Sequence, residues 1–79
     1  LAINLNPMHS KAYQKRAILQ FEIKDFKLAI EDYTKAIEID PQDQLSIFFR
    51  SIAKENIGDY RGAEEDMIIL NNLLSNNIN

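Results

Sequence analysis

Apolar side chains recur along most of this chain at the spacing of an amphipathic helix. No segment alternates apolar and polar residues in the way a half-buried strand does. The clearest helical run occupies positions i, i+3, i+4, i+7, i+10 and i+11, which are Phe26, Ala29, Ile30, Tyr33, Ala36 and Ile37. The pattern predicts an all-α fold, with a helical stub at 1–6 and helices near 10–23, 26–39, 44–57 and 60–74.

The pattern also repeats itself along the chain. Sliding the 79 residues by 34 positions aligns 45 pairs, of which ten are identical. Chance pairing at ordinary residue usage gives roughly three identities. The identical pairs are Ala2/Ala36, Ile3/Ile37, Pro7/Pro41, Arg16/Arg50, Ile18/Ile52, Ile23/Ile57, Asp25/Asp59, Ala29/Ala63, Glu31/Glu65 and Asp32/Asp66. We infer an internal repeat of 34 residues with two helices in each unit.

Residues typical of helix ends fall between these helices. Asp25 and Asp59 each precede the aromatic that opens a helix, where a short acceptor can cap exposed N–H groups. Gly58 occupies the turn before Asp59, where a positive φ is easiest for glycine. Lys24 stands in its place in the first unit, and we expect a cost of up to about 1 kcal/mol there.

Prolines and short turns then predict how the helices pair. Pro7 and Pro41 are expected to end the second helix of their units, and Asp43 to cap the helix that follows. Two helices joined by a turn of two or three residues pack antiparallel. Each unit is therefore predicted to be a helical hairpin.

Composition narrows the class of protein. Hydrophobic residues make up 46% and charged residues 27%, as in a soluble globular chain, and there is no cysteine to form a disulfide or thiolate metal site. The net charge of −3 gives no overall attraction to nucleic acid or to an anionic membrane. No signal peptide or membrane-spanning segment is visible, so we expect a cytoplasmic location.

A 34-residue helical hairpin with these residues resembles the tetratricopeptide repeat family. The matching residues in the first unit are Tyr13, Ala17, Asp25, Phe26, Ala29, Tyr33, Ala36 and Pro41. Those in the second are Gly58, Asp59, Tyr60 and Ala63, with Ile47, Ser51, Met67 and Leu70 as tolerated variants. The resemblance implies hairpins stacked as a right-handed superhelical array. Its concave groove, lined by the first helix of each pair, holds a peptide or extended segment of a partner protein.

The same resemblance divides the chain. It predicts the end of a preceding repeat at 1–7, repeats at 8–41 and 42–75, and a polar tail at 76–79. The opening "LAINLNP" looks like the last turns of such a preceding repeat, so we interpret the chain as a piece of a longer array. The predicted function is a non-catalytic scaffold or adaptor that binds another protein.

Helical periodicity selects the side chains expected on the groove. They are Lys11, Gln14, Lys15, Ile18 and Glu22 in the first unit, and Leu45, Phe48, Phe49, Ile52, Glu55 and Asn56 in the second. Leu45, Phe48, Phe49 and Ile52 form an apolar stripe. Such a stripe is either ordinary packing between helices or an exposed patch for a partner's hydrophobic side chain or helix.

Lys11 and Lys15 place two ammonium groups on one side of this groove and favour an acidic partner. They resemble the basic pair with which chaperone-binding members of the family hold a terminal carboxylate. The asparagines that such clamps also use are missing, and Phe49 stands where a polar or basic clamp residue would be. A generic acidic-partner preference is therefore the preferred interpretation.

Two arginines occupy places where the family most often has leucine. Arg16 lies sixteen residues before Asp32, and Arg50 lies sixteen before Asp66. Because this pairing recurs once per unit, we predict an ion pair between the two helices of each hairpin.

Catalysis, cofactors and metals are not expected. His9 is the only histidine and the chain has no cysteine, which disfavours a metal site. No glycine-rich phosphate loop is present, since the only glycines are Gly58 and Gly62. Lys11, Lys15 and Arg16 cluster around Tyr13, but Tyr13 is a core aromatic by alignment, so nucleic-acid binding is not predicted.

The last helix departs from the repeat pattern. Its apolar groups cover more than one face, whereas a terminal capping helix should have a polar outer face. These groups are Ile68, Ile69, Leu70, Leu73 and Leu74. The alternative function is therefore self-association, with copies stacking through Leu1–Leu5 and Ile68–Leu74.

Overall fold

The computed structural model describes residues 7–76, and it is all-α as predicted. Its helices are α1 (Pro7–Glu22), α2 (Phe26–Ile39), α3 (Gln44–Asn56) and α4 (Tyr60–Asn76), with no strand in this part of the chain. Helix α1 begins at Pro7 rather than near residue 10, and α4 ends at Asn76 rather than near 74. The stub predicted at 1–6, which Pro7 was expected to close, lies outside the described residues.

The turns inside the two hairpins have the same backbone geometry. Lys24 has φ +67° and Gly58 has φ +86°, both in the left-handed region. In the first turn, the N–H of Asp25 donates to the carbonyl of Gln20 (2.8 Å) and that of Lys24 to Phe21 (3.0 Å). The second turn repeats both bonds 34 residues on. Each hairpin thus ends its first helix with a Schellman motif, which satisfies carbonyls that the helix leaves unpaired.

Aspartates cap the helices that follow the turns. A carboxylate oxygen of Asp25 accepts from the N–H of Leu28 (3.4 Å), and one of Asp59 accepts from the N–H of Gly62 (2.9 Å). Asp43 caps α3 by accepting from the N–H of Ser46 (3.1 Å). These bonds satisfy donors that have no partner within their own helix.

The first hairpin is antiparallel and closed by an ion pair. Arg16 on α1 and Asp32 on α2 lie at equal distances in sequence from Lys24, so their side chains meet only if the helices run in opposite directions. The Nε and Nη2 of Arg16 donate to the two carboxylate oxygens of Asp32, at 2.6 and 2.9 Å. Hydrogen bonds from Arg16 hold the pKa of Asp32 below its ordinary value, against the opposing effect of burial.

The second hairpin contains the equivalent ion pair and two additions. Arg50 donates to both carboxylate oxygens of Asp66, at 2.9 and 2.5 Å. The ammonium of Lys54 lies 3.2 Å from the same carboxylate. Arg50 also donates to the hydroxyl of Thr34 (3.2 Å), which joins the second hairpin to α2 of the first. One arginine therefore closes its own hairpin and fixes the contact between hairpins.

Small side chains let the helices approach closely. Ala17, Ala29 and Tyr33 form a fully buried cluster, against which Ile18, Phe21 and Phe49 pack. Helix α2 contacts both α1 and α3, and α3 also contacts α4. Ala36 extends this core along α2, and the buried apolar side chains Ile47, Ala53, Ala63 and Leu70 continue it through the second hairpin.

We expect the two hairpin turns to respond in opposite ways to substitution. Lys24→Gly should raise the free energy of unfolding by about 0.5–1 kcal/mol, because glycine adopts a positive φ without steric strain. Gly58→Ala should lower it by about 1 kcal/mol, and the cause would be backbone strain alone, since a Cβ at Gly58 meets no atom within 4 Å. Urea unfolding followed by circular dichroism measures both changes. Equal signs for the two variants would contradict this account.

The ion pair of the second hairpin should show strong coupling. Asp66→Leu leaves Arg50 and Lys54 without their carboxylate and should cost about 3 kcal/mol of unfolding free energy. The double variant Arg50→Leu/Asp66→Leu should lose less, because the buried guanidinium is removed and only the Lys54 ammonium is left without its carboxylate. Urea unfolding measures both, with trimethylamine N-oxide added for a variant that is unfolded in buffer.

Asp32→Leu in the first hairpin is the matched control for this prediction. The side chain of Arg16 is 60% exposed, against 13% for Arg50, so water can hydrate Arg16 when its partner is removed. We expect Asp32→Leu to cost less than Asp66→Leu. A double variant less stable than Asp66→Leu alone would be incompatible with coupling through a buried charge.

Candidate functional site

The first helices of the two hairpins, α1 and α3, lie side by side and present a common surface. The side-chain amide of Gln14 on α1 donates to both carboxylate oxygens of Asp43, at 2.9 and 3.0 Å. Further along, the rings of Phe21 on α1 and Phe49 on α3 meet edge to face with centroids 5.4 Å apart. The α1–α3 face is defined here by Lys11, Lys15, Ile18, Leu45, Phe48, Phe49 and Ile52.

The predicted groove residues differ in how they contribute to this face. Lys11, Lys15, Leu45 and Phe48 are exposed, whereas Ile18, Phe49 and Ile52 are half-buried. Leu45 is 42% exposed and Phe48 is 40% exposed, so the apolar stripe of α3 is only partly covered by neighbouring helices. One part of the stripe therefore packs against neighbouring helices, and the other part leaves apolar surface exposed.

Gln14 has an internal role in the structure. Its amide nitrogen contacts Asp43, the cap of α3, and lies 3.4 Å from the hydroxyl of Ser46. That carboxylate in turn accepts from the Ser46 hydroxyl at 2.6 Å. Gln14 thus holds the start of α3 against α1, and its amide is occupied within the chain.

Aromatic rings fix the orientation of the exposed Phe48. Its ring packs edge to face on Phe49, with centroids 5.5 Å apart. Phe49 is held on its other sides by Phe21 (5.4 Å) and by a nearly parallel Tyr33 (6.3 Å, interplanar angle 14°). Edge-to-face and offset stacked arrangements are the favoured geometries of such pairs. The cluster therefore presents Phe48 to solvent from a rigid base.

An apolar cavity of about 290 Å³ opens between α1, α2 and α3. Its lining residues are Ile18, Phe21, Glu22, Tyr33 and Phe49, and we call it the Tyr33 cavity. Three of the five are aromatic, and Glu22 is the only charged member of this set.

The hydroxyl of Tyr33 is the unusual group of this cavity. Tyr33 is fully buried, and its hydroxyl has no hydrogen-bond partner among the described residues. Burial, together with the negative charges of Asp43 and Glu22, raises the pKa of Tyr33 to about 12. A buried polar group without a partner costs free energy, so this hydroxyl lowers the stability of the fold.

A polar cleft of similar volume, about 290 Å³, lies at the other end of α1. It is lined by Ser10, Lys11, Gln14, Asp40, Gln42, Asp43 and Gln44. Lys11 shares this cleft with two carboxylates, whereas Lys15 is exposed outside it. The two lysines therefore stand in different electrostatic surroundings and do not form one uniform basic pair.

Tyr33, Phe21 and Glu22 have different standing in the sequence. Tyr33 appears there in the amphipathic run from Phe26 and among the residues that match the repeat family. Phe21 falls only within the helix predicted near 10–23, while Glu22 was predicted on the groove. The sequence feature that could have indicated this cluster is a swap of aromatic and charged residues between the two repeats. Phe21 aligns with Glu55, and Lys15 aligns with Phe49. This exchange places bulky aromatics from both helices at one junction.

The last helix exposes a second apolar surface. Ile68 is 54% exposed, and Ile69 and Leu74 are also exposed, while Leu70 is buried. Ile68 is the repeat equivalent of Thr34, the residue of α2 that contacts α3 through Arg50. At Ile68, the surface of α4 that corresponds to this contact is thus apolar, and we call the exposed residues Ile68, Ile69 and Leu74 the α4 face.

Residues 7–76 lack two kinds of feature. None of the four helices is long and apolar enough to cross a membrane. The same residues include no group of three or more histidine, cysteine, aspartate or glutamate side chains arranged to hold a metal ion.

Comparison with known proteins gives two matches. Residues 10–43, which include most of α1 and all of α2, match the model of the family described as Tetratricopeptide repeat. The human protein named General transcription factor 3C polypeptide 3 is 32% identical over 75 residues, which are 95% of this chain. This chain spans only 8% of the length of that relative. No solved structure matches the chain.

Proposed function

We propose that this chain, which belongs to the tetratricopeptide repeat family, binds a segment of another protein along the α1–α3 face. Repeats of this family generally mediate protein–protein interaction. The partner would contact the α1–α3 face rather than another surface of the chain. The chain would act as a scaffold or adaptor without catalysing a reaction.

The observation that carries the proposal is the exposure of Phe48 on a rigid aromatic base. A large aromatic group held in one orientation loses little conformational entropy when a partner covers it. Aromatic residues of this kind often supply much of the binding energy at protein interfaces. Leu45, one helical turn earlier on the same stripe, extends the apolar area.

The charges along α1 favour a partner segment that carries both acidic and basic residues. Lys11 lies in the N-terminal half of α1 and Lys15 near its middle, while Glu22 ends the same helix. A segment lying along α1 would therefore meet positive charge at one end and negative charge at the other. Such complementarity orients a ligand and speeds its association more than it adds affinity.

The human relative adds a setting for this binding. By its name it is one polypeptide of a general transcription factor. We infer that the partner of this chain belongs to a larger protein assembly.

We propose the cytoplasm as the location of the protein. Fluorescence microscopy of a tagged full-length protein tests this by comparing the signal in the cytoplasm with the signal in the nucleus.

Phe48→Ala should weaken partner binding by about tenfold or more, because it removes the exposed anchor. The ligands would be peptides selected from a random phage-displayed library against the 79-residue chain, with affinities measured by fluorescence anisotropy. Leu19→Ala is the matched control, since Leu19 is exposed on α1 yet lines neither cavity. Full affinity in Phe48→Ala, or an equal loss in Leu19→Ala, would place the binding surface elsewhere.

Self-association is the second candidate function, and the α4 face favours it. Thr34, the α2 equivalent of Ile68, contacts Arg50 of α3, so a helix from a second copy could pack on α4 around Ile68 in the same manner. The other predicted stacking surface, Leu1–Leu5, lies outside the described residues.

If copies associate through the α4 face, Ile68→Lys should abolish the association by placing an ammonium group in an apolar contact. Light scattering on a gel-filtration column, over a concentration series, gives the molar mass of both proteins. Leu19→Lys is the control, and it should behave like the unmodified chain. A monomer at every concentration in the unmodified chain would exclude this function.

A further inference from the structure

We propose that the segment bound on the α1–α3 face is an amphipathic helix, with acidic residues toward one end and basic residues toward the other. The inference rests on the proposed function and specifies the kind of partner that the same face receives. Three features support it: the parallel course of α1 and α3, the internal use of two side-chain amides, and the separation of charge along the face.

Helices α1 and α3 run in the same direction on this face. Gln14, in the first half of α1, contacts Asp43 at the start of α3. Phe21, near the end of α1, contacts Phe49 in the middle of α3. Because the contacts advance along both helices together, α1 and α3 are parallel. Two parallel helices leave a groove between them, into which the side chains of a third helix pack.

The apolar stripe beside this groove has the spacing of a helix ridge. Leu45, Phe48 and Ile52 occupy positions i, i+3 and i+7 of α3, which corresponds to roughly 10 Å along the helix axis. Leu45 and Phe48 are exposed, and Ile52 is half-buried. A partner helix with apolar residues at the same spacing presents a row of equal length to this stripe.

Two side-chain amides predicted on the groove donate within the chain. The amide nitrogen of Gln14 donates to Asp43, and that of Asn56 donates to the carbonyl of Ile52 in its own helix (2.9 Å). An extended ligand would lay its own N–H and C=O groups over the apolar stripe, where polar groups without partners cost free energy. A helix pairs these groups internally, so it can cover the stripe without hydrogen bonds from the face.

Two opposite charges frame the stripe. Lys15 comes directly after Gln14, which contacts the start of α3, and so lies level with the start of the stripe. Glu22 comes directly after Phe21, which contacts the middle of α3, and lies level with the later half of the stripe. Neither charge forms an ion pair with another of the described residues. A partner helix whose carboxylate and ammonium are about seven positions apart, or roughly 10 Å, would complement both.

The test uses an acetylated and amidated peptide of about fourteen residues, which forms about four helical turns. It has leucine at positions i, i+3 and i+7, glutamate in its first turn, lysine in its last turn, and alanine and glutamine elsewhere. A second peptide replaces two alanines with the helix-favouring α-aminoisobutyric acid, and a third has proline at its centre. NMR titration of the 79-residue chain follows the signals of Leu45, Phe48 and Ile52. We expect the second peptide to bind about threefold more tightly than the first, because less ordering accompanies binding, and the third to bind at least tenfold more weakly.

Charge-reversal variants then test the framing charges. Lys15→Glu and Glu22→Lys should each weaken the charged peptide severalfold, because each brings like charges together at one end of the bound helix. A peptide with glutamine in place of every glutamate and lysine should bind both variants as it binds the unmodified chain. Lys27→Glu on α2 and Glu64→Lys on α4 are the matched controls, since both residues are exposed outside the α1–α3 face, and they should keep the full affinity.

The remaining outcomes overturn the inference and leave the proposed function to its own test. Equal affinity of the three peptides would show that the bound segment is not helical. Equal losses in Lys15→Glu and Lys27→Glu would remove the charge pattern. If no designed peptide shifts the followed signals, while library peptides bind and depend on Phe48, the face binds a segment of another kind. Library peptides that bind Phe48→Ala with full affinity would instead overturn the proposed function itself.

Discussion

The structure depends on two aspartates that are buried between paired helices. Asp32 and Asp66 are 4% and 1% exposed, and an ionised carboxylate buried to this degree needs a bound cation or hydrogen-bond donors to offset its lost hydration. Arg16 and Arg50 meet that requirement only when each hairpin is antiparallel and in one register. The need to pair a buried charge therefore selects one alignment of the helices from the several that apolar packing alone would allow.

That register determines what the surface can do. It brings α1 and α3 side by side, with Gln14 fixed on the cap of α3 and Phe21 against Phe49. The same packing encloses Tyr33 beneath both helices and leaves Phe48 outside them. The exposed ring of Phe48 therefore lies close to the Tyr33 cavity as a consequence of the fold.

Local features of the sequence were enough to predict the helices and their turns. Periodicity located all four helices. Gly58, and Lys24 by its alignment with Gly58, indicated the two left-handed turns. The sixteen-residue spacing of arginine and aspartate predicted the ion pairs between helices, which the structure contains. The Tyr33 cavity was not predictable in this way, because it forms where three helices meet. Likewise, nothing near Gln14 indicates that its amide bonds Asp43, which is 29 positions away.

Most contacts between helices join neighbours in sequence, and α1 also contacts α3 through Gln14 and Phe21. Helix α2 meets α1 and α3, α4 meets α3, and the polar side-chain contacts of the described residues join positions at most 32 apart. A chain of this kind closes only short loops as it folds, and such topologies fold within microseconds to milliseconds. Either hairpin can form first and serve as the template for the other. Arg50, which binds both Asp66 and Thr34, would then mark the step at which two separate hairpins become one cooperative unit.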